Sequence, residues 1–486
     1  MRLAPLVLFV SVLFLHAQTP LGTVTGIATD PSGAVVPNAT ITLTAQETGV
    51  KHTTVTNGAG AYTLPDIPPG TYKLTAEAKG FRTFGVQPFT LDAFRTVRVD
   101  IRFELTGDAV ELNVSAEAIQ TESPAVSADL QSREIVELPT NLRSVSKNSG
   151  DSGLISGIMP LTVPGVVQVG NGAKWLTPGA GANSMKVKVD GIETTFGNFG
   201  SPDNVSQPSV EAVQEFTAEV LTTRAEFGGM GTITSATKSG TDEYHGEAFW
   251  YMRNSATDAR NTFNTTKPFQ NLHNYGGTFG GPIRKDKTFF FADFDGMRGV
   301  AAFSFAPNVP TVAMRGGDFS ALAAIKNPFT GANFTGNVIP SALLSPQAIQ
   351  AQQLLFPLPN YGPPALTAAN YRAAFDGPET HRTEEIKLDH NFTGRHSAFL
   401  RYENRKDDYH YPGERSPLPP TTVGTSDNLR RVNFWTLGDV YAIRPNLLNE
   451  FRAGVVILVS ASSGQFDGSA MLSQIGIQGL PPRGPT

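Results

Sequence analysis

The chain has 486 residues, with 38 basic and 43 acidic side chains and a formal charge of −5. That balance marks no nucleic-acid binder, and the absence of cysteine excludes disulfides, thiolate metal sites, a cysteine nucleophile and a lipid-modified N-terminal cysteine. Only 17% of residues are charged, while 48 glycines, 35 prolines and 31 phenylalanines favour strands joined by turns over long soluble helices.

Met1-Arg2 precedes LAPLVLFVSVLFL, an uncharged run over residues 3–15 that ends in Leu15-His16-Ala17. A basic start and an apolar stretch of this length predict a signal peptide over residues 1–17 and export; the other reading is an apolar core strand. A membrane helix needs about 20 apolar residues, and no later run reaches that length, so insertion in a membrane is expected through strands.

From residue 20 to 105 the apolar residues recur with a period near two. Val24, Ile27, Ile41, Leu43, Tyr62, Leu64, Tyr72 and Leu74 mark the inward faces of short strands. Asp30-Pro31-Ser32-Gly33, Asn57-Gly58 and Pro68-Pro69-Gly70 supply the turns. Short strands at this spacing predict a β-sandwich. The segment, with Gly60-x-Tyr62, Pro69-Gly70-x-Tyr72 and Gly80-Phe81, resembles the carboxypeptidase regulatory-like domain. That resemblance implies a transthyretin-like sandwich that serves as an accessory module, sometimes linked to carbohydrate binding, and not a peptidase. His52 has no metal-ligand spacing around it and reads as a surface histidine.

Residues 106–236 begin with a mixed, acid-rich stretch. Val110, Glu111, Leu112, Asn113, Val114, Ser115 and Ala116 alternate cleanly, which suits strand addition to a partner's sheet edge or the last strand of the sandwich. KVKVDGIET reads as a strand, a turn at Asp190-Gly191 and a return. Pro208-Ser209 is expected to open a short helix with Val210, Val213 and Phe216 on one face. Gly228-Gly229-x-Gly231 lacks both the Lys-Ser/Thr of a phosphate loop and the third glycine of a dinucleotide fingerprint.

From residue 237 onward the pattern changes again. Tyr244, Gly246, Ala248, Trp250 and Met252 are apolar or small, whereas the alternate set His245, Glu247, Phe249, Tyr251 and Arg253 mixes charges and aromatics. One greasy and one polar face is the pattern of a transmembrane barrel strand. NLHNYGGTFGGPI with KTFFFADFDGM, TEEIKLDHNFTGRHSAFLRYENR, and NFWTLGDVYAIRPNLLNEFRAGVVI predict three hairpins. In the second, Ile386, Leu388, Ala398, Leu400 and Tyr402 face outward, and Lys387, Asp389, Arg401 and Glu403 inward. Spans of about 9–11 residues are expected. Residues 300–380, rich in Pro, Ala and Gly, predict an extracellular loop with a small helix from Ser345-Pro346. Asp293 to Gly296 lacks the second half of a calcium loop. His381, His390 and His396 lack ligand spacing, and no hydrolase elbow or zinc helix appears. The residues thus predict no catalytic, cofactor or metal site.

TKSGTDEYHGEAFWYMRN, NYGGTFGGPIRKDKTFFFADFDGMR and VPTVAMRGGDFSAL resemble the plug-to-barrel junction and first strands of Oar-like TonB-dependent outer-membrane receptors. After Glu137-Leu138-Pro139 the chain reads TNLRSVSKN where such receptors carry an Asn-Gly-Arg-like motif. The expected architecture is mainly β: a transthyretin-like sandwich over 20–105, a TonB-box-like segment and small α+β plug over 106–236, and an incomplete antiparallel transmembrane β-barrel over 237–486. Plugged transporters close about 22 strands, against roughly seven strand-like runs here, so an N-terminal part of a longer receptor or a truncated product is expected, unable to transport alone. The resemblance implies an outer-membrane, plug-gated, non-enzymatic transporter of a large substrate, with its N-terminal domains periplasmic. Its expected partners are outer-membrane lipid, a TonB-type energy-transducing protein at Val110 to Ala116, and a carbohydrate or other large ligand, with no nucleic acid. The alternative is a non-transporting cell-surface or carbohydrate-binding sandwich protein.

Overall fold

The computed structural model describes residues 21–92, 95–105, 110–112, 126–137, 165, 167–169, 174–176, 185–198, 201–204, 208–220, 231–259, 267, 269–412, 425–444, 447–464 and 468–478. The signal peptide, the TNLRSVSKN stretch and Gly228-Gly229 lie outside these residues.

The first unit contains β1 (Gly22–Thr29), β2 (Thr40–Ala45), β3 (Lys51–Val55), β4 (Ala61–Ile67), β5 (Gly70–Glu77), β6 (Phe84–Val86), β7 (Phe89–Leu91), β8 (Thr96–Arg98) and β9 (Ile101–Arg102), joined at its edge by β10 (Val110–Leu112). One sheet is ordered β4-β1-β8, with β9 also on β1; the other is ordered β10-β6-β5-β2-β3, with β7 on β5. Alternation buries Val24, Ala28, Ile41, Leu43, Tyr62, Leu64, Tyr72 and Leu74 in one core between the sheets. Ile27 is the exception to the predicted inward set. It sits on the outer side of β1, and Ala28 takes the core position. Turn chemistry follows the sequence. The Asp30 carboxylate accepts from the amides of Ser32 (2.8 Å) and Ala34 (2.9 Å), and Gly33 adopts φ 87°.

The middle unit is a five-stranded sheet of β11 (Val126–Gln131), β14 (Met185–Val189), β15 (Ile192–Glu193), β18 (Val213–Val220) and β19 (Gly231–Thr237), ordered β11-β18-β19-β14-β15. Two further pairs, β12 (Val167–Val169) with β13 (Lys174–Leu176) and β16 (Thr195–Asn198) with β17 (Ser201–Asn204), are its other strands among the described residues. Ile135, from a helix over Ser132–Glu137, packs on Val187, Val213, Phe216 and Ile233. The helix expected after Pro208 is a single 3-10 turn, Val210–Ala212, capped by Ser209. Strand β18 begins at the next residue. The buried sheet position overrides the weak helical period, because Val213 and Phe216 need the strand to reach the core.

The last unit is a seven-stranded antiparallel sheet in sequence order: β20 (His245–Asn254), β21 (Gln270–Arg284), β22 (Thr288–Phe305), β23 (Ala373–Thr393), β24 (His396–Pro412), β25 (Thr425–Arg444) and β26 (Leu447–Gly464). Tight connections, such as 394–395, join strands at one end, and long ones, including 306–372, at the other. This is the periplasmic-turn and extracellular-loop asymmetry of outer-membrane barrels. Strands β21 to β26 run 15 to 21 residues, longer than the expected span. Their polar outer ends extend past the apolar band, where no sequence periodicity marks the membrane boundary. Side-chain parity holds as predicted: Tyr244 (64%), Trp250 (69%), Ile386 and Trp435 are exposed, while Lys387, Arg401 and Glu403 are buried. Within the long loop, Ser345 caps a helix over Pro346–Leu355, as its sequence requires. Among the described residues the sheet is open, since β20 and β26 do not pair. No described helix is long and apolar enough to cross a membrane.

Candidate functional site at the junction of the middle unit and the wall

The Asp190-Gly191 dipeptide forms the two-residue connection between β14 and β15, with φ of 47° and 84°. Two successive left-handed residues define the hairpin turn that Asp-Gly favours. The turn projects from the middle sheet into the inner face of the seven-stranded wall. Val189 packs on Val432 and Phe434, and Ile192, Val456 and Leu458 pack against the same cluster. Gly454 makes room for this approach: a Cβ there would lie 2.6 Å from Ile192 Cγ2.

The Asp190 carboxylate is the centre of the contact. The Thr237 amide donates to Oδ1 at 3.0 Å and the Thr237 hydroxyl to Oδ2 at 2.8 Å. From the wall, Lys387 Nζ lies 3.9 Å from Oδ1 and Arg401 Nε 3.6 Å from Oδ2. Lys387 Nζ also donates to the Thr237 carbonyl at 3.1 Å, and Arg452 donates to the Asp190 carbonyl. Burial alone raises a carboxyl pKa. Here the two cations and the Thr237 hydrogen bonds outweigh it and hold Asp190 below its ordinary value.

The wall register explains why an anion is needed. Lys387 is directly opposite Arg401, and Glu385 is directly opposite Glu403. Like charges facing across a ladder repel. Arg401 Nη2 donates diagonally to Glu385 (2.6 Å) and along its own strand to Glu403 (2.7 Å), which settles the acidic row. The cationic row is completed by Asp190 from the middle unit. All four wall side chains are nearly inaccessible, so the middle unit is their environment rather than water.

A second contact lies at β20. Tyr251 donates its hydroxyl to Glu211 Oε1 at 2.9 Å, and burial, reinforced by Glu247, raises the Glu211 pKa. The sandwich meets the tight-turn end of the wall, where the Asp242 amide donates to the Glu47 carbonyl at 3.1 Å. Between the three units is a cavity of about 200 Å³ bordered by His52, Tyr72, Thr237, Lys387, Phe399 and Arg452.

His52 is therefore partly enclosed, not the surface histidine expected. Burial pulls its pKa from 6.5 down to about 4. The unfolded chain takes up a proton in that window and the folded one does not. Stability contributed by neutral His52 is complete above pH 6.5 and is lost as pH falls towards 4. Thermal melts at pH 7.5, 5.5 and 4.5 are expected to show a falling midpoint that a His52→Gln variant flattens; equal slopes for the two proteins would refute this role.

The remaining candidates separate. His245 sits at the exposed start of β20, 3.1 Å from Thr241 Oγ1, with Glu247 further along the same side. His381 is buried between Glu379 and Asp407 on the inner face, whereas His390 and His396 face outward, so the three do not converge. Asp293 and Asp295 lie on β22. Among the described residues no cluster of three or more His, Asp or Glu is placed to hold a metal ion. Val110, Glu111 and Leu112 lie on the sandwich as β10, parallel to Phe84–Val86 of β6; Asn113 to Ala116 lie outside the described residues.

Comparison with known proteins follows this division of the chain. The model of the outer membrane beta barrel domain matches residues 236–486, just over half of the chain, and that of the carboxypeptidase regulatory-like domain matches residues 23–106. The TonB-dependent transporter Oar of Myxococcus xanthus is 29% identical over 302 residues, covering 59% of this chain and 27% of that protein. The chain thus spans about a quarter of that relative's length. Among solved structures, the outer membrane transporter YddB of Escherichia coli is 13% identical with a TM-score of 0.40, covering 68% of this chain and 38% of its own. A ferric enterobactin receptor of Pseudomonas aeruginosa is 12% identical with a TM-score of 0.37, covering 70% of this chain and 47% of its own.

Proposed function

The chain belongs to the outer membrane beta barrel domain family, and on that premise we propose that it acts in energy-coupled, plug-gated uptake of a large substrate across the outer membrane. The observation that carries this reading is the Asp190 turn of the middle unit, held by Lys387 and Arg401 of the wall. A domain inside a barrel that is fixed by a few buried ion pairs blocks the lumen at rest. The hydrogen bonds around the turn depend steeply on distance and angle, so its displacement by a few ångströms breaks them. Pulling from the periplasmic side is the natural way to supply that displacement.

Val110 to Ala116 is the segment on which an energy-transducing protein would pull. Val110–Leu112 already takes an extended conformation at a sheet edge, and the alternation continues through Asn113, Val114, Ser115 and Ala116. Recognition by strand addition uses main-chain hydrogen bonds and tolerates varied side chains. Because the chain contains no cysteine, single cysteines introduced along 110–116 report contacts cleanly. Crosslinks to the periplasmic domain of the TonB-type partner are expected at alternate positions, and deletion of 110–116 in the chain with its complete barrel is expected to abolish energy-dependent uptake. Uptake that survives the deletion would exclude this segment.

A further inference from the structure

The outward face of the wall carries a feature that uptake does not use. Arg382 on β23 is directly opposite Lys406 on β24, and Lys406 is directly opposite Arg431 on β25. Three cations therefore stand side by side on adjacent strands. They share a face with Ile386, Leu388, Leu400, Tyr402, Trp435 and Leu437, so they point towards lipid and not into the lumen. Arg298, exposed on β22, lies on the same face one row nearer the long loops.

Their height follows from the register. His390, Phe392, His396 and Tyr441 form an aromatic row at the tight-turn end, with successive ring centroids 4.5, 4.5 and 4.8 Å apart. Lys406 is ten residues along β24 from His396, and Arg431 ten along β25 from Tyr441. At about 3.3 Å per residue and a tilt of about 40°, ten residues climb about 25 Å, the height of the apolar band. The Tyr402 and Trp435 rings, 4.2 Å apart and tilted by 30°, lie four residues below the cations on the apolar part of the face. The cationic row thus sits at the outer-leaflet headgroups.

Carboxylates on this face neutralise it only in part. Arg382 pairs with Glu384, and Arg431 with Asp408 at 2.7 Å, its Nη1 also donating to the carbonyls of Asp407 (3.0 Å) and Arg430 (2.9 Å). Lys406 and Arg298 make no ion pair or hydrogen bond among the described residues. Like charges directly opposite on neighbouring strands are unfavourable unless an anion bridges them. We propose that this face binds the phosphorylated headgroup of an outer-leaflet lipid, with Lys406 central and the Arg382 and Arg431 guanidinium groups flanking it. The Lys406 ammonium is the point charge for the phosphate, the two guanidinium groups beside it add to the local positive field, and the acyl chains would lie along the apolar face below.

The proposal rests on the outer-membrane reading, and its test separates the two. The protein is extracted from outer membranes in mild detergent and compared with an Arg382→Gln/Lys406→Gln/Arg431→Gln variant by native mass spectrometry. The probes are diphosphoryl lipid A, its monophosphoryl form, phosphatidylethanolamine and inorganic phosphate. Wild type is expected to retain diphosphoryl lipid A at least tenfold better than the variant, to hold the monophosphoryl form less well, and to resist displacement by millimolar phosphate. Should the triple variant fail to assemble, Lys406→Gln alone is expected to lower retention about threefold. Equal retention by assembled variants, indifference to the phosphates, or full displacement by inorganic phosphate would overturn the headgroup site. A wild-type protein absent from the outer membrane would overturn the barrel reading itself.

Discussion

Replacing Arg401 by alanine is expected to remove about 3–5 kcal/mol of stability, because it leaves charges buried without their partner. Arg401 is fully buried and serves three carboxylates at once: Glu385, Glu403 and, through Nε, Asp190. Its loss leaves Glu385 facing Glu403 across the ladder with no cation between them. The folded, heat-modifiable band on a gel is expected to fall sharply, and the denaturant midpoint of any remaining folded protein to drop. Arg401→Lys should recover only part of this, since an ammonium cannot reach the separate carboxylates in one plane. A double change, Arg401→Met with Glu385→Gln, should be milder than Arg401→Ala alone, because it removes a charge of each sign. An Arg401→Ala protein as stable as wild type would show that these charges are hydrated and that the middle unit does not seal them.

The second large effect is expected at Gly26 in β1. A Cβ at this position would overlap the Val99 carbonyl, whose own amide donates to Thr25 O at 2.8 Å. Val99 also accepts from the Tyr62 hydroxyl at 2.6 Å. The nearest obstruction is the Val99 backbone, with the Tyr62 ring beside it, so no rotamer change relieves it. Gly26→Ala is expected to cost about 3 kcal/mol or more, at the upper end of overpacking effects. The measurement is resistance of the N-terminal unit to limited proteolysis, with the rest of the chain as internal control. Unchanged resistance would mean that β1 shifts freely past residue 99.

Much of this arrangement is legible in the sequence, because two-residue periodicity is a direct record of which side of a sheet a residue faces. The parity of Tyr244 to Met252, and of Ile386 to Tyr402 against Lys387 to Glu403, separates the two faces of the wall correctly. The sandwich core is legible for the same reason, apart from Ile27, where the larger apolar residue misleads and Ala28 is inside. The segment after Pro208 is misread because Val210, Val213 and Phe216 fit a helical face as well as a strand start; only the neighbouring β11 and β19 decide it. The site is the least legible part. Asp190-Gly191 announces a turn, and Lys387 and Arg401 announce an inner face. That they meet depends on pairing between residues about two hundred positions apart, which no local pattern records. The cationic row is hidden for a related reason, since Arg382, Lys406 and Arg431 become neighbours only once the strand register is fixed.

The central claim is that residues 237–486 lie in the outer membrane as barrel wall around a plug. Membrane fractionation followed by electrophoresis of unheated and boiled samples tests it most directly. An outer-membrane protein whose mobility shifts on boiling is the predicted result. A soluble periplasmic protein, or a membrane-associated one with the same mobility before and after heating, would contradict it.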